Sequence, residues 1–268
     1  MSKPFPIFIA LTLFFSACQS SNPPDRPESI LSATIPASSP VPLPQDTPTA
    51  SISQIHTQTP AADLILPPNG EYLDHLNVGE AGIYALTIDD GYGRLPFDSI
   101  LAELRSRNIQ ATFFLVADAS IKLGLERMQT LVEDGHTIAY HSNTHDDLEL
   151  MEDWNAFDWL NDYYAWEQAM RLLLGDDLYA QLVRPYARAP YGLFNRPFLG
   201  MTKEIGLIPV GWSRDQGDLN IGLTVRPGDI FLMHVRVLDA ATLPALLDEI
   251  DLTPVSLDDL FAAWQTED

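Results

Sequence analysis

The sequence predicts an α/β domain in which helices cover a parallel sheet, built either as a barrel or as an open doubly wound sheet. From about residue 71 onward, short runs rich in β-branched and aromatic residues alternate with longer runs whose apolar residues recur at helical spacing. Such strand–helix alternation is typical of a parallel sheet, and a chain of 268 residues can hold one large domain of this kind. In both arrangements, functional residues are expected at the carboxyl ends of the strands.

The individual elements follow from the length and composition of each run. Six short apolar runs are predicted to be strands: 83–88, 111–116, 137–140, 207–212, 230–233 and 253–257. Five longer runs are predicted to be helices: 97–107, 121–133, 157–174, 197–205 and 241–250. The segment 154–166 is unusually aromatic, and Trp159, Tyr163 and Trp166 share one helical face. That face favours packing against the sheet, with a sugar-stacking wall beside a cleft as the alternative.

The first 17 residues are predicted to be a signal peptide. A positively charged start precedes an apolar run over residues 5–15, which is too short to span a membrane and ends in small residues. The next residue, Cys18, is the only cysteine of the chain. The letters FSAC resemble a bacterial lipobox, although Phe15 replaces the usual Leu. We therefore expect a lipoprotein in which lipidated Cys18 anchors the chain to the membrane, outside the cytoplasm.

Residues 18–70 are predicted to form a disordered tether, because Ser, Thr, Ala and Pro dominate them and no apolar periodicity is present. As a coil of about 50 residues the tether would span roughly 40 Å. Residues 71–268 are predicted to form the folded domain.

The chain is strongly acidic, with a formal net charge of −22 from 15 Lys and Arg against 37 Asp and Glu. Nucleic-acid binding is therefore not expected, because phosphate contacts need clustered Lys and Arg. The sequence leaves the oligomeric state open.

Two polar clusters follow predicted strands. Asp89 and Asp90 end the first strand within the letters TIDDG, and adjacent carboxylates are costly to bury unless each has a partner. His141 and His145 follow the third strand at a spacing that could place two imidazoles on one metal ion. Alone, Asp-Asp-Gly is usually a turn and such a His pair is usually incidental. Together, two His and one Asp leave an open position, as catalytic metal sites do.

Three further short runs appear later in the chain, RAPYG, DQGD and LMH. With TIDDG and HSNTH they form an ordered set at 87–91, 141–145, 188–192, 215–218 and 232–234. This set resembles the five motifs of the polysaccharide deacetylase family, which is also called NodB-like or carbohydrate esterase family 4. The resemblance extends from about residue 80 to the C-terminus. It implies a distorted (β/α)7 barrel of the NodB-like deacetylase type.

The resemblance also implies a metal centre and a base. Asp90, His141 and His145 would hold a divalent metal, with Zn²⁺ as the default and Co²⁺, Mn²⁺ or Ni²⁺ as possible occupants of the same site. Asp89 would be the general base toward the attacking water, and Arg188 would hold and tune Asp89.

The remaining roles concern the leaving group and the oxyanion. The backbone N–H of Tyr191 would join the metal in stabilising the tetrahedral oxyanion. His234 would protonate the departing nitrogen as general acid, and Asp215 would orient His234 and keep it cationic.

The chain departs from the family pattern at two positions. Leu219 replaces a Trp that helps line the acetyl pocket, and Ile88 replaces the common Phe. Arg184 begins a near-copy of the third motif, but only Arg188 is followed by Pro-Tyr-Gly at the family spacing. The histidines outside the motifs are expected to be structural or incidental: His136, His75 and His56.

These inferences predict a metal-dependent N-deacetylase acting outside the cytoplasm on a GlcNAc-containing polysaccharide, such as peptidoglycan, an exopolysaccharide or a chitin-like polymer. An O-acetyl esterase resembling acetylxylan esterases is one alternative, because the motifs do not separate amide from ester substrates. A glycan-binding pseudoenzyme is the alternative from another class of protein.

Overall fold

The computed structural model describes residues 72–220 and 222–265. The predicted signal peptide, Cys18, the tether over 18–70 and His56 therefore lie outside the described residues. Within the described part, none of the helices is both long and apolar enough to cross a membrane.

Strands and helices alternate along the described chain, as the sequence predicts. The strands are β1 Ile83–Asp90, β2 Thr112–Leu115, β3 Thr137–Tyr140, β4 Val183–Ala187, β5 Ile208–Pro209, β6 Arg214–Asp215, β7 Ile230–His234 and β8 Thr253–Val255. The helices are α1 Arg94–Arg107, α2 Ala117–Leu123, α3 Leu125–Glu133, α4 Leu148–Glu152, α5 Ala156–Leu182, α6 Arg196–Ile205, α7 Gln216–Asn220, α8 Val237–Glu249 and α9 Leu257–Gln265.

The strands form one parallel sheet with β1 at its centre. Seven strands follow the order β5-β4-β3-β2-β1-β7-β6, and β8 pairs with the beginning of β1. Burial makes β1 the core strand, since every residue from Tyr84 to Asp90 is buried. Because β1 pairs with β2 on one side and β7 on the other, its carboxyl end faces residues from both halves of the sheet.

The segment before β1 joins two distant parts of the sheet. Leu73 N–H donates to the Pro209 carbonyl oxygen at 2.9 Å, and Leu76 N–H donates to the Gly228 carbonyl oxygen at 3.0 Å. A side chain at Gly228 would collide with the Leu76 carbonyl oxygen, and its φ of +85° also favours glycine. His75, expected to be incidental, lies in this segment with Nδ1 3.2 Å from Asp229 Oδ1.

Several element boundaries differ from the sequence prediction. The predicted helix 121–133 is two helices, because the backbone at Gly124 is not helical (φ +91°, ψ 162°). The helix predicted to end at residue 174 continues as α5 to Leu182, past a break at Gly175. β4 was not predicted, since its letters VRPYA carry an Arg and a Pro. The predicted strand 253–257 ends at Val255, and Leu257 begins α9.

The aromatic segment packs α5 onto the sheet. Trp159, Tyr163 and Trp166 are 0%, 5% and 1% exposed, so the packing interpretation is confirmed and these three rings form no sugar-stacking wall. Trp166 Nε1–H donates to the Leu115 carbonyl oxygen at 2.7 Å, and the Tyr140 ring contacts Trp166 edge-on. α5 is therefore fixed against β2 and β3.

Candidate metal centre and active site

The sheet brings the predicted site residues to the carboxyl ends of three strands. Asp89 and Asp90 end β1, and His141 directly follows β3. His234 ends β7 and is the register partner of Asp89. Parallel pairing therefore places side chains that are far apart in sequence at one edge of the sheet.

Asp90, His141 and His145 form the predicted metal triad. One ligand atom from each residue lies within 4.8 Å of the others, and this is the one such three-residue group found in residues 72–220 and 222–265. Asp90 Oδ1 is 3.5 Å from Nε2 of His141 and 3.5 Å from Nε2 of His145. Two imidazoles and one carboxylate suit a divalent transition metal such as Zn²⁺ and leave room for a further ligand.

A backbone contact orients the first histidine of the triad. The Nδ1 atom of buried His141 is 3.0 Å from the Arg188 carbonyl oxygen and donates to it, so that Nε2 is left as the acceptor nitrogen. A neutral His141 would offer the lone pair of Nε2 to a metal ion, whereas a protonated His141 would donate from Nε2 to Asp90 Oδ1, 3.5 Å away. The residues present therefore fit a metal ion, including the outer hydrogen bond that ligating histidines usually make.

The charges of the site shift the pKa values of its members in opposite directions. Burial alone would raise the pKa of Asp90, but the hydrogen bond from His141 and the nearby histidine charges lower it to about 2. Burial lowers the pKa of His141, yet the negative charges of Asp89 and Asp90 more than compensate and raise it. The pKa of His145 is lowered by burial and by the charge of His141. The Asp90 carboxylate is thus held ionised, as a metal ligand must be.

Asp89 is paired with a fully buried arginine. Nη1 of Arg188 donates to Asp89 Oδ1 at 2.6 Å, and the whole Arg188 residue is 0% exposed. The other oxygen, Asp89 Oδ2, lies 3.6 Å from His141 Nε2, on the side of the metal triad. One carboxylate oxygen is therefore occupied by Arg188, and the other faces the site.

The Arg188 guanidinium is held by the surrounding backbone and one aromatic ring. Its Nε donates to the Val210 carbonyl oxygen at 3.1 Å and its Nη2 to that of Gly211 at 2.8 Å. The guanidinium carbon lies 4.1 Å from the centroid of the Phe114 ring. In contrast, Arg184 of the near-copy motif pairs with Asp258 of α9, at the other end of β4.

Backbone strain concentrates at the site. Among the described residues, positive φ outside glycine occurs at Asn108, which caps α1, and at four site residues: Asp90 (77°), Ser142 (80°), His145 (56°) and Tyr191 (59°). Such conformations cost on the order of 1–3 kcal/mol each and persist only where surrounding contacts enforce them. The contacts of the fold thus hold Asp90 and His145 in backbone conformations that lower the stability of the protein.

Tyr191 lies on a short 3-10 turn beside the triad. Its ring meets the His145 ring edge-on with centroids 4.7 Å apart, and its hydroxyl donates to the Asp146 carbonyl oxygen at 3.0 Å. The residue is 51% exposed, so Tyr191 borders solvent beside the triad. Trp212 packs against the neighbouring Gly192, where an added Cβ would lie 2.9 Å from the Trp212 ring.

Asp215 does not contact His234, the predicted general acid that it was expected to orient, through a hydrogen bond in the described structure. Asp215 Oδ1 accepts hydrogen bonds from the backbone N–H groups of Gly217, at 2.6 Å, and Asp218, at 3.1 Å, within its own turn. The backbone N–H of His234 instead donates to Asp239 Oδ1, with 3.5 Å between the nitrogen and the oxygen. The pKa of His234 is lowered by burial, against the opposing charges of neighbouring carboxylates.

Sequence reasoning missed three residues around this site. Asp162 of α5 bonds the loop between the two ligating histidines, Arg236 Nη2 lies 3.6 Å from Asp90 Oδ2, and Trp212 lies beside the Arg188 guanidinium. Of the three, only Arg236 could have been noticed in the sequence, because it lies two residues after the last motif. Leu219, which replaces the family Trp, packs partly buried against the core.

A small cavity lies beside the loop that follows Asp90, and its lining includes no residue of the triad. It has a volume of about 230 Å³, and the loop after Asp90 lines it together with the end of α2: Gly91, Tyr92, Gly93, Arg94, Ala119, Lys122 and Leu123. Pockets that enclose small molecules are usually larger than about 300 Å³.

Comparison with known proteins agrees with this fold. The polysaccharide deacetylase family matches residues 77–210. A solved family 4 carbohydrate esterase from Bacillus anthracis superposes with a TM-score of 0.57 at 27% identity, covering 72% of this chain and 86% of that one. The likeness confirms the predicted distorted (β/α)7 barrel, and the chain belongs to the polysaccharide deacetylase family.

Two characterised relatives indicate the chemistry of the family. A chitooligosaccharide deacetylase from Bradyrhizobium sp. is 28% identical over 166 residues, which cover 58% of this chain and 71% of the relative. A peptidoglycan-N-acetylglucosamine deacetylase from Listeria monocytogenes is 29% identical over 178 residues, covering 62% of this chain and 35% of that protein. Polysaccharide N-deacetylation is thus the activity that the family relationship supports.

Proposed function

We propose that this protein is a metal-dependent hydrolase that removes N-acetyl groups from a GlcNAc-containing polysaccharide outside the cytoplasm. The observation that carries the proposal is that the metal triad and the Asp89–Arg188 ion pair lie side by side at the end of β1. Asp90, His141 and His145 converge on one point, and the adjacent Asp89 is bound to buried Arg188. A metal site and a separate held carboxylate are the two parts that hydrolysis of an amide without a covalent intermediate requires.

Asp89 would act as the base. A divalent metal held by the triad, Zn²⁺ by default, would polarise the acetyl carbonyl and make water more acidic. Asp89 Oδ1 is engaged by Arg188, so Oδ2, which faces the triad, is the oxygen free to accept the proton of the attacking water. Arg188 fixes the carboxylate in position and keeps it from rotating away.

His234 and Tyr191 would serve the leaving group and the developing oxyanion. His234 is the register partner of Asp89, so the two residues flank the same point from neighbouring strands. A ring N–H of His234 would donate its proton to the departing amine, which is too basic to leave without one. The backbone N–H of Tyr191, on the strained turn beside His145, would donate to the oxyanion.

Acetate release tests the activity. We would assay peptidoglycan, chitooligosaccharides, poly-N-acetylglucosamine and acetylxylan, each with the metal-free protein and with added Zn²⁺ or Co²⁺. Metal-dependent release from at least one N-acetylated polymer is expected. Release from acetylxylan alone would favour the esterase alternative, and no release from any polymer with metal bound would favour the glycan-binding pseudoenzyme.

Lipid anchoring is the second part of the proposal. The apolar run that ends at the only cysteine supports it. Cys18→Ser should abolish metabolic labelling by fatty acid and either release the protein from membranes or leave its signal peptide uncleaved. Unchanged labelling of the variant would contradict the lipobox interpretation.

A further inference from the structure

The loop from His141 to His145 carries two residues of the metal triad in a strained backbone conformation. Ser142 and His145 both have positive φ, at 80° and 56°, and each costs on the order of 1–3 kcal/mol unless neighbouring groups enforce it. The loop joins β3 to α4 without regular structure between residues 141 and 147. Contacts from other elements must therefore hold the ligands in place.

One carboxylate on α5 is the side chain that holds the middle of this loop from both of its oxygens. Asp162 accepts the backbone N–H of Asn143 at 3.0 Å and 3.1 Å through its two oxygens. Its Oδ2 also accepts the Ser142 hydroxyl at 3.3 Å, and its Oδ1 accepts the Tyr140 hydroxyl. A single side chain thus binds the residue before His141 and the two residues after it.

The Ser142 hydroxyl passes this restraint to the second ligand. Its oxygen accepts the backbone N–H of His145 at 3.0 Å while its hydrogen is donated to Asp162. A continuous path of hydrogen bonds therefore runs from α5 through Ser142 to the backbone of His145. Asp162 itself belongs to neither the metal triad nor the base pair.

The helix that carries Asp162 is firmly placed. Asn155 and Asp158 form a reciprocal capping box at its start, and buried Trp166 bonds to β2 four residues after Asp162. Burial raises the pKa of Asp162 to about 6, against the lowering effect of its hydrogen bonds. Holding a carboxylate in this environment is costly, which is consistent with a specific use.

We infer that Asp162 is the positioning residue of the metal centre: it sets metal affinity by fixing the loop that carries His141 and His145, without being a ligand. This inference rests on the metal site of the proposed function. Partners that orient metal ligands from outside typically change affinity by 10- to 100-fold when removed. Asp162→Ala should therefore raise the dissociation constant for Zn²⁺ by roughly 10-fold or more.

The test is titration of the metal-free protein with Zn²⁺ in competition with a chelating dye, together with the absorption spectrum of the Co²⁺ form. Asp158→Ala is the matched control, because it removes a capping carboxylate one turn earlier on α5 that makes no contact with the loop. We expect the control to bind Zn²⁺ like the wild type, and Asp162→Ala to bind weakly with an altered Co²⁺ spectrum. Asp162→Asn, which keeps one carbonyl acceptor, should be intermediate.

Folding is checked by the thermal midpoint of each metal-free protein. If Asp162→Ala does not fold, Zn²⁺ binding is measured on Asp162→Asn and Ser142→Ala instead. Ser142→Ala removes the hydroxyl that links Asp162 to the backbone of His145. Folded Asp162 variants that bind Zn²⁺ as tightly as the wild type would overturn the inference alone. Failure of the wild type to bind any divalent metal would instead overturn the proposed function.

Discussion

The metal side of the candidate site, made of Asp89, Asp90, His141, His145 and Arg188, differs from the acid side, made of His234 and Asp215. On the metal side, Arg188 is fully buried with hydrogen bonds from its guanidinium to side chains and to two backbone carbonyls. On the acid side, His234 is partly exposed. The Asp215 carboxylate accepts hydrogen bonds from backbone N–H groups of its own turn. Strain and burial thus fix the proposed metal ligands, whereas His234, the proposed proton donor, is left with few fixed partners.

The difference has a chemical reason. Metal ligands and a general base must hold one geometry before substrate arrives, so the protein can fix them in advance. A general acid acts on the leaving group, and catalytic hydrogen bonds in substrate-free structures are often long and tighten only with substrate bound. Mutations of the metal triad or of Arg188 should therefore change metal binding or stability, whereas mutations of Asp89 or of the acid side should lower turnover with the metal retained.

The largest effect is expected from the two adjacent carboxylates. Asp90→Asn should lose metal and nearly all activity, with partial recovery in excess metal, because a charged ligand becomes a neutral amide. Asp89→Asn should keep the metal and lose activity by roughly 10²-fold or more, without recovery, because the base is gone. Metal content and acetate release would be measured side by side. The opposite pattern, with metal lost only from Asp89→Asn, would exchange the two roles.

His234→Ala should lower turnover by roughly 10²- to 10⁴-fold while metal content stays at the wild-type level. The loss should be smaller for acetyl esters with good leaving groups, since these need less protonation than an amine. Rates on amide and ester substrates provide the measurement. Equal losses on both would indicate that His234 is structural.

The two arginines around β4 offer a matched pair for stability. Arg188→Gln leaves the buried Asp89 carboxylate without its partner and should lower the free energy of unfolding by about 3–5 kcal/mol. Arg184→Gln removes a partly exposed ion pair with Asp258 and should cost about 1 kcal/mol or less. The free energy of unfolding of both variants would be measured by urea denaturation. A similar decrease for the two variants would contradict the proposed effect of burial.

The smallest effect is expected at Asp215. Asn at this position keeps an acceptor oxygen for the Gly217 and Asp218 N–H groups, and no hydrogen bond to His234 is lost in the structure. Turnover of Asp215→Asn should fall by less than about tenfold, well below the loss for His234→Ala. A loss as large as that of His234→Ala would show that Asp215 reaches His234 in the reacting enzyme, as the family resemblance implies.

Much of the metal side could be predicted because its residues lie at the ends of strands. Asp90, His141 and His145 follow two apolar runs, and parallel strands bring their carboxyl ends to one edge of a sheet whatever the details of packing. The buried face of α5 was predictable in the same way, since Trp159, Tyr163 and Trp166 repeat at helical spacing. Helical spacing was sufficient for the buried face of α5, whereas the metal triad also needed the resemblance of the five motifs to those of the family.

Other features depended on contacts between distant segments. β4 lacks an apolar run and is a strand because β3 and β5 flank it. Asp162 lies in a helix with exposed and buried positions, and the residues around it in the sequence do not distinguish it from an aspartate exposed to solvent. The direction of the Asp215 carboxylate is set by the turn that follows it.

The α/β class, the family and the residues that meet at the end of β1 can be predicted from the sequence alone, because periodicity, motif letters and motif spacing need no three-dimensional information. Which carboxylates support those residues became known only from the folded structure. Hydrogen bonds such as that from Asn143 to Asp162 join segments 19 residues apart, and that between Arg188 and Asp89 spans 99 residues. Such pairings depend on where helices pack and turns point, and no local pattern of residues encodes them.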